Sequence, residues 1–494
     1  MAHLSLSAPM RVLIATSEAV PFVKTGGLAD VAGSLYREYG KMAGIDAVLM
    51  LPLYLAVRDR FALTDTGRRF AVTVGAKSYR CGVWSYRPSV YFLECGEFFD
   101  RDELYGTAQG DYHDNAARFV FFSRAVLEAC MALGVKPGVI HCNDWQTGLI
   151  PLYLRTLYRN EFFSDTATVL TIHNLGYQGL FGSGDFSLTG LGSEWFNPEG
   201  VEFYGKVNFL KAGIIAADRL TTVSRTYARE ILTPEFGYGL DGVLRTRGRD
   251  LAGIVNGIDV EEWDPSGDPE IAARYSRSDL KGKEACRKRL IEECSLRLEG
   301  RDAPLVSLIG RLSTQKGLDL FIGAADEIVS SGMGVIIFGK GDESLQEKVR
   351  GLGAKYKGRV HARVGYDEAF ARRIYAGSDL FLMPSQYEPC GLGQMISMRY
   401  GTVPVARNTG GLADTIRDYD ALRGEGTGFL FDEYRPKALR DCLKRALCVF
   451  VDKRRWRKMV VSAMKTDFSW ESSAKQYIAL YGSAKGTKET RPSP

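Results

Sequence analysis

The sequence predicts an α/β protein of two doubly wound domains, on three observations. Short apolar runs alternate with segments of helical periodicity, the pattern of a parallel sheet covered on both faces. The alternation runs twice, with a polar stretch rich in Asp, Ser, Pro and Arg, residues 264–283, between the rounds. The hexapeptide TGGLAD occurs at 25–30 and again at 409–414, each time after an apolar run and before a helix-like segment.

The first round opens with a strand at 12–15, a loop through Lys24 and a helix from about Leu28. A strand at 46–51 follows. Between 70 and 95 β-branched and aromatic residues alternate among Gly and Pro, which predicts hairpins. Residues 105–115 read as a polar loop and 116–133 as an amphipathic helix. Strands are expected at 139–142, 168–172 and 219–223, each with a helix behind it. The segment LAGIVNGIDVEEWD, 251–264, closes the round with a turn at Asn256 and Gly257. In the second round, strands at 305–309, 335–338, 359–364, 380–384 and 403–406 alternate with helices from Gly317, Ser344, Asp367 and Leu392. The result is two Rossmann-like domains, 1–255 and 256–494, facing a central cleft. The amphipathic segment 468–481 is expected to pack back on the first domain.

A chain of 494 residues is too long for one ordinary core. Its 45% hydrophobic and 25% charged residues are average for a soluble globular protein. A net charge of +5 is small at this length and implies no nucleic-acid partner. Nine cysteines without a CxxC pair argue against disulfides or zinc and for a reducing compartment. None of the five histidines is paired at ligand spacing, so no metal is expected. The most apolar helical stretch, 117–135, is interrupted by Arg118, Arg124 and Glu128, so no membrane span is expected. The amino end lacks the form of a signal peptide, and Met10 is a candidate alternative start. A cytoplasmic location is expected.

Candidate chemistry gathers where strands end, the place where open α/β sheets bind ligands. Each TGGLAD sets a Gly-Gly pair at a loop-to-helix junction, where backbone can approach a ligand and N–H groups face an anion. The alternative is that such a pair only permits close packing. Glu388, in SQYEPCGLGQM, places a carboxylate beyond the strand 380–384. Arg311 and Lys316, in GRLSTQKG, suit a diphosphate, the first by bidentate hydrogen bonds and the second as a point charge; solvated surface cations are the alternative. Tyr366 could stack on a base or belong to the core. Lys24, Asp144 and His173 fall at the ends of three strands of the first domain; a histidine alone is more often structural than catalytic.

Seven motifs in order, KTGGLADV, HCNDWQTGL, TIHNLGYQG, NGID, GRLSTQKG, EPCGLGQ and NTGGLADT, resemble those of bacterial glycogen synthases and the related plant starch synthases. The resemblance runs from about Val12 to Tyr481. It implies the two-domain GT-B glycosyltransferase fold. It also implies transfer of glucose, with retention, from ADP-glucose to the non-reducing end of an α-1,4-glucan such as glycogen, without a cofactor or metal. Lys24 then resembles the donor-site lysine, with Gly26 and Gly27 closing on the sugar phosphate. Arg311 and Lys316 resemble the diphosphate clamp, and Glu388 the active-site acid that holds the transferred glucose. Cys390, Gly391, Leu392, Gly410 and Gly411 would offer backbone N–H groups. Tyr366 matches a position near the adenine, Asn256 one near the sugar, and His173 the histidine whose backbone carbonyl faces the glucose. Asp30 and Asp144 fall on the acceptor and sugar side.

Two positions depart from the wider GT-B pattern. Ile396 stands where many members carry a second glutamate, and Gly393 where a hydroxyl residue is frequent. The rival readings are a GT-B transferase using UDP-glucose and a catalytically inactive glucan-binding protein.

Overall fold

The computed structural model describes residues 9–107, 109–298 and 303–490. The chain divides into two compact units. The first holds the chain up to Val223, Ala228–Ile254 and the stretch from Trp470; the second holds Ser224–Tyr227 and Val255–Ser469. The short crossing at Ser224–Tyr227 had no signal in the sequence.

The first unit is built on β1 (Met10–Ala15), β2 (Ile45–Pro52), β3 (Thr64–Val74), β4 (Lys77–Arg87), β5 (Val90–Glu94), β6 (Val139–Asn143), β7 (Ala167–Ile172), β8 (Arg219–Thr222) and β9 (Leu251–Gly253). They form one sheet in the order β9-β8-β7-β6-β1-β2-β5-β4-β3. Pairing is parallel from β9 through β5 and antiparallel across β5, β4 and β3. The parallel strands are short β-branched runs buried on both faces, as ATVLTI in β7 illustrates. The order reverses at β1, which feeds helix α1 (Gly27–Tyr39) and lies between β2 and β6.

Helix α2 (Asn115–Leu133) departs from the expected amphipathic form, because it is buried on nearly every side. Arg118, read in the sequence only as a charge interrupting an apolar stretch, is fully buried. Its guanidinium donates to the carbonyls of Phe98 (2.8 Å) and Leu104 (2.9 Å) and to Asn115 Oδ1 (2.7 Å), which offsets much of the cost of burying the charge. The carboxyl-terminal helix, Trp470–Thr490, belongs to this unit. Its Tyr481 hydroxyl lies 2.9 Å from His141 Nδ1 and 2.8 Å from the Tyr39 hydroxyl, tying the helix to β6 and α1. A three-stranded antiparallel sheet within 180–208 was not anticipated.

In the second unit β10 (Leu305–Ile309), β11 (Gly334–Gly339), β12 (Val360–Val364), β13 (Leu380–Met383), β14 (Val403–Arg407) and β15 (Phe429–Phe431) form an all-parallel sheet in the order β12-β11-β10-β13-β14-β15. Counted within the unit this is 3-2-1-4-5-6, the doubly wound order, with its topological switch between β10 and β13. The helices are α3 (Lys281–Glu293), α4 (Leu318–Ser330), α5 (Glu343–Lys355), α6 (Glu368–Gly377), α7 (Gly393–Arg399) and α8 (Gly410–Thr415), followed by two more before residue 466. Helix α3 was missed in the sequence, where most of it lies just past the polar stretch. It is mostly charged and buries only Cys286 and Leu290, the latter against Leu305, Phe370 and Ile374. No helix among the described residues is long and apolar enough to cross a membrane.

Candidate active site

Switch points are where doubly wound sheets bind ligands, and each unit brings its chemistry to one. In the second unit the loop after β10 carries Arg311 and Lys316, and the loop after β13 carries Glu388. Lys316 Nζ lies 2.5 Å from Glu388 Oε2, joining the two loops across the switch. The Ser385 hydroxyl donates to the same oxygen at 3.1 Å. Glu388 is 5% exposed. Arg311 donates to Gln315 Oε1 at 2.8 Å, and the Gln315 carbonyl accepts from the Gln386 N–H at 2.8 Å. Gly317, at φ +71°, is required here, since a Cβ would collide with the carbonyl of Pro384. Ser385 and Gln315 had no signal in the sequence: a polar residue in a loop becomes legible only once its neighbour across the switch is known.

The two TGGLAD copies serve different ends. In the second, a Cβ on Gly410 or Gly411 would strike the carbonyl oxygens of Glu388 and Cys390, so the glycines let α8 press against the Glu388 loop. The Gly411 N–H donates to the Glu388 carbonyl at 3.0 Å. That N–H is therefore committed to the protein and is not offered to a ligand, contrary to the expectation for Gly411. Asp414 accepts from the N–H and the hydroxyl of Thr226, both at 2.8 Å. In the first copy nothing among the described residues lies within 4 Å of a Cβ placed on Gly26 or Gly27, and Asp30 pairs with Lys24 at 2.8 Å.

Around Glu388 the loop continues through buried Cys390, whose thiol burial pushes up to about 12, and Gly391 at φ +78°, into Leu392 at the start of α7. The Asn256 backbone N–H faces the Cys390 sulfur. The Asn256 Oδ1 is buried with no hydrogen-bond partner among the described residues, a condition that costs about 1–3 kcal/mol. Tyr366, beyond β12, is 79% exposed and so does not belong to the core.

In the first unit β7, β6 and β1 are adjacent, and they bring His173, Asp144 and the Lys24 loop to the same end of the sheet. Asp144 and His173 meet directly: Asp144 Oδ1 accepts the His173 N–H at 2.7 Å. Asp144 sits at φ 56° and ψ −169°, a region that strains any residue but glycine by about 1–3 kcal/mol. Strain of this kind collects at functional sites. His173 Nε2 lies 2.9 Å from Asn143 Oδ1, and the Asn143 amide donates to the carbonyls of Ala15 and His141. This fixes the amide and puts the ring proton of His173 on Nε2. Burial lowers the His173 pKa to about 3, so the ring stays neutral at ordinary pH. Lys24 and residues 25–27 are exposed above Glu18, a buried carboxylate that sequence reasoning missed.

Burial raises the Asp144 carboxyl to about 7, against the opposing pull of the His173 and Asn174 N–H groups. The unfolded chain loses this proton near pH 4 and the folded chain keeps it to about pH 7. Stability from this group is therefore complete below about pH 4 and is lost as pH rises through 7. Asp144→Asn cannot titrate. The melting temperature of wild type minus that of Asp144→Asn should fall from pH 4 to pH 8; a difference that rises or stays level across that range would contradict the buried, protonated carboxyl.

No group of three or more His, Cys, Asp or Glu side chains among the described residues could hold a metal ion. Two Rossmann-like units, each with polar loops at the carboxyl ends of its strands, are the composition of the GT-B glycosyltransferase class, and the comparisons place the chain in that class. The starch synthase catalytic domain family matches residues 11–246, and glycosyl transferases group 1 matches 297–455. Sucrose-phosphate synthase from Thermosynechococcus elongatus shares the fold, with a TM-score of 0.61 at 18% identity over 96% of this chain and 98% of that one. The catalytic domain of starch synthase IV from Arabidopsis thaliana, bound to ADP and acarbose, has a TM-score of 0.88 at 34% identity, covering 97% of this chain and 100% of that one. Glycogen synthase from Thermodesulfovibrio yellowstonii is 46% identical, over 98% of this chain and 99% of its own. The glycogen synthase of Anaeromyxobacter sp. is 47% identical over 96% and 99%. The chain belongs to the glycogen synthase family and is a glycosyltransferase of the glycogen and starch synthase type. Neither rival reading, the UDP-glucose transferase or the inactive glucan binder, is favoured by these relatives.

Proposed function

We propose that this chain transfers glucose with retention from ADP-glucose to the 4-hydroxyl at the non-reducing end of an α-1,4-glucan, and so elongates glycogen. The observation that carries the reading is the meeting of Lys316 and Glu388 at the switch point of the second unit, with Arg311 in the same loop. Breaking the glucosyl–phosphate bond builds positive charge on the sugar ring and negative charge on the leaving diphosphate. Arg311 and Lys316 meet the leaving charge, joined by Lys24 from the first unit. Glu388 holds the transferred glucose, and the backbone at Cys390, Gly391 and Leu392 lines the phosphate, with Gly410 behind it. The orphaned Asn256 Oδ1 would gain its missing donor from a sugar hydroxyl. Tyr366 has the exposed face that stacking on adenine requires.

From the first unit, the His173 carbonyl faces the glucose, Gly26 and Gly27 approach the sugar phosphate, and Asp144 and Asp30 serve the sugar and acceptor hydroxyls. The neutral imidazole of His173 fits a role through its backbone rather than through proton transfer. We favour attack by the acceptor on the face the diphosphate leaves, with no cofactor and no metal assigned a step. All nine cysteines are free thiols, eight of them buried, which supports a reducing, cytoplasmic setting. ADP in the starch synthase IV structure supports the choice of donor nucleotide.

The test is release of ADP from ADP-glucose with and without glycogen, alongside UDP-glucose. Glycogen-dependent release with lengthening of the glucan is expected. Faster turnover of UDP-glucose would overturn the donor, and release that ignores glycogen would overturn the acceptor.

A further inference from the structure

We infer that Glu18 is a positioning residue for the first glycine loop, holding residues 24–27 from beneath; this rests on the donor role proposed for Lys24. Glu18 lies three residues past the end of β1 and is 3% exposed. Its Oε2 accepts the backbone N–H groups of Thr25 and, at 3.3 Å, Gly26. Its Oε1 accepts the Thr25 hydroxyl at 2.7 Å and the Tyr105 hydroxyl at 2.6 Å. Since Tyr105 donates to Glu18, the Ser17 hydroxyl, 2.7 Å away, donates to Tyr105. One buried carboxylate thus gathers four donors, three of them from the loop.

The loop needs such an anchor. Residues 24–27 are exposed, and a Cβ on either glycine would touch nothing among the described residues, so packing by those residues does not fix their backbone. A Gly-Gly pair loses more conformational freedom on ordering than any other dipeptide. Charge-assisted hydrogen bonds to a carboxylate are roughly twice as strong as neutral ones and suit that task. The arrangement also divides the donors of the loop. The Thr25 and Gly26 N–H groups point inward to Glu18, which leaves the Lys24 ammonium and the start of α1 to meet a phosphate.

A carboxylate that only stabilised the fold would, when removed, lower melting temperature and all ligand affinities together. A positioning residue lowers turnover far more than it weakens ADP, most of whose contacts are assigned to the second unit. Glu18→Ala should cut kcat for glucose transfer by about 100-fold, as for a misplacement of about 1 Å, with ADP affinity by titration calorimetry within about twofold of wild type. Glu18→Gln should lie between the two, because its one oxygen still accepts the N–H groups while the hydroxyls of Thr25 and Tyr105 turn to accept its amide. Should Glu18→Ala not fold, Glu18→Gln and Tyr105→Phe carry the test, each with a kcat loss of about threefold to tenfold and unchanged ADP affinity. Wild-type kcat in the folded variants overturns the inference, as does a fall in kcat matched by ADP affinity and melting temperature. A wild-type protein that moves no glucose from ADP-glucose overturns the donor reading instead.

Discussion

Glu388→Ala is expected to lower turnover by about two orders of magnitude or more while the protein stays folded, the signature of a lost transition-state contact. The side chain can be removed without releasing its loop. The loop backbone is fixed by the Gly411 N–H on the Glu388 carbonyl and by the close seat of Gly410 and Gly411 beneath it. What disappears is the carboxylate that accepts from Lys316 and Ser385. Glu388→Gln separates charge from shape, since its amide oxygen can still accept from Ser385 but carries no charge to set against a developing oxocarbenium ion. The glutamine variant should therefore fall nearly as far as alanine. Steady-state rates with ADP-glucose and glycogen, read beside thermal melting, check both variants. Near-normal turnover in a folded Glu388→Ala would remove this residue from the reaction.

The fold was legible because its signals are local. Short apolar runs such as 305–309 and 167–172 are of strand length and too short for a helix, and their alternation with helical periods admits few topologies. The parts that escaped depend on partners distant in the chain. Helix α3 carries eight charged residues in thirteen and is held by Cys286 and Leu290, too few apolar positions to mark a face. Arg118 is legible as a charge but not as a buried one, because the carbonyls that receive it, at 98 and 104, come from a different segment. The site divides the same way. Lys24, Arg311, Lys316, Glu388, Asp144 and His173 announce themselves by residue type at strand ends. Glu18, Ser385, Gln315 and Asn143 touch other site residues, and only the folded chain brings them alongside. The two TGGLAD copies mark the limit most clearly. Identical letters leave one glycine pair open to solvent and wedge the other beneath a carbonyl, because what faces each pair lies elsewhere in the sequence.

Lys316→Gln should weaken ADP by about 10- to 100-fold, the 1.5–3 kcal/mol of a hydrogen bond to a charged group. It should also raise KM for ADP-glucose far more than KM for glycogen. Two effects add. The variant loses the point charge that meets the diphosphate, and it leaves the Glu388 carboxylate, 7% exposed at the side chain, without its cation. Breaking a fully buried pair costs about 3–5 kcal/mol; the cost here is smaller, since the Lys316 side chain is 25% exposed. An uncompensated carboxylate also repels the incoming phosphate. A double-mutant cycle separates the two. If repulsion from Glu388 is part of the loss, Lys316→Gln combined with Glu388→Gln should bind ADP more tightly than Lys316→Gln alone. If the loss is only the missing ammonium, the double variant should bind no better than the single one. Lys316→Arg is not a rescue, because a planar guanidinium does not reproduce a compact ammonium 2.5 Å from one carboxylate oxygen. Titration calorimetry of ADP on the three variants gives the answer. Equal affinity in wild type and Lys316→Gln would place the diphosphate elsewhere and remove the switch point of the second unit as its seat.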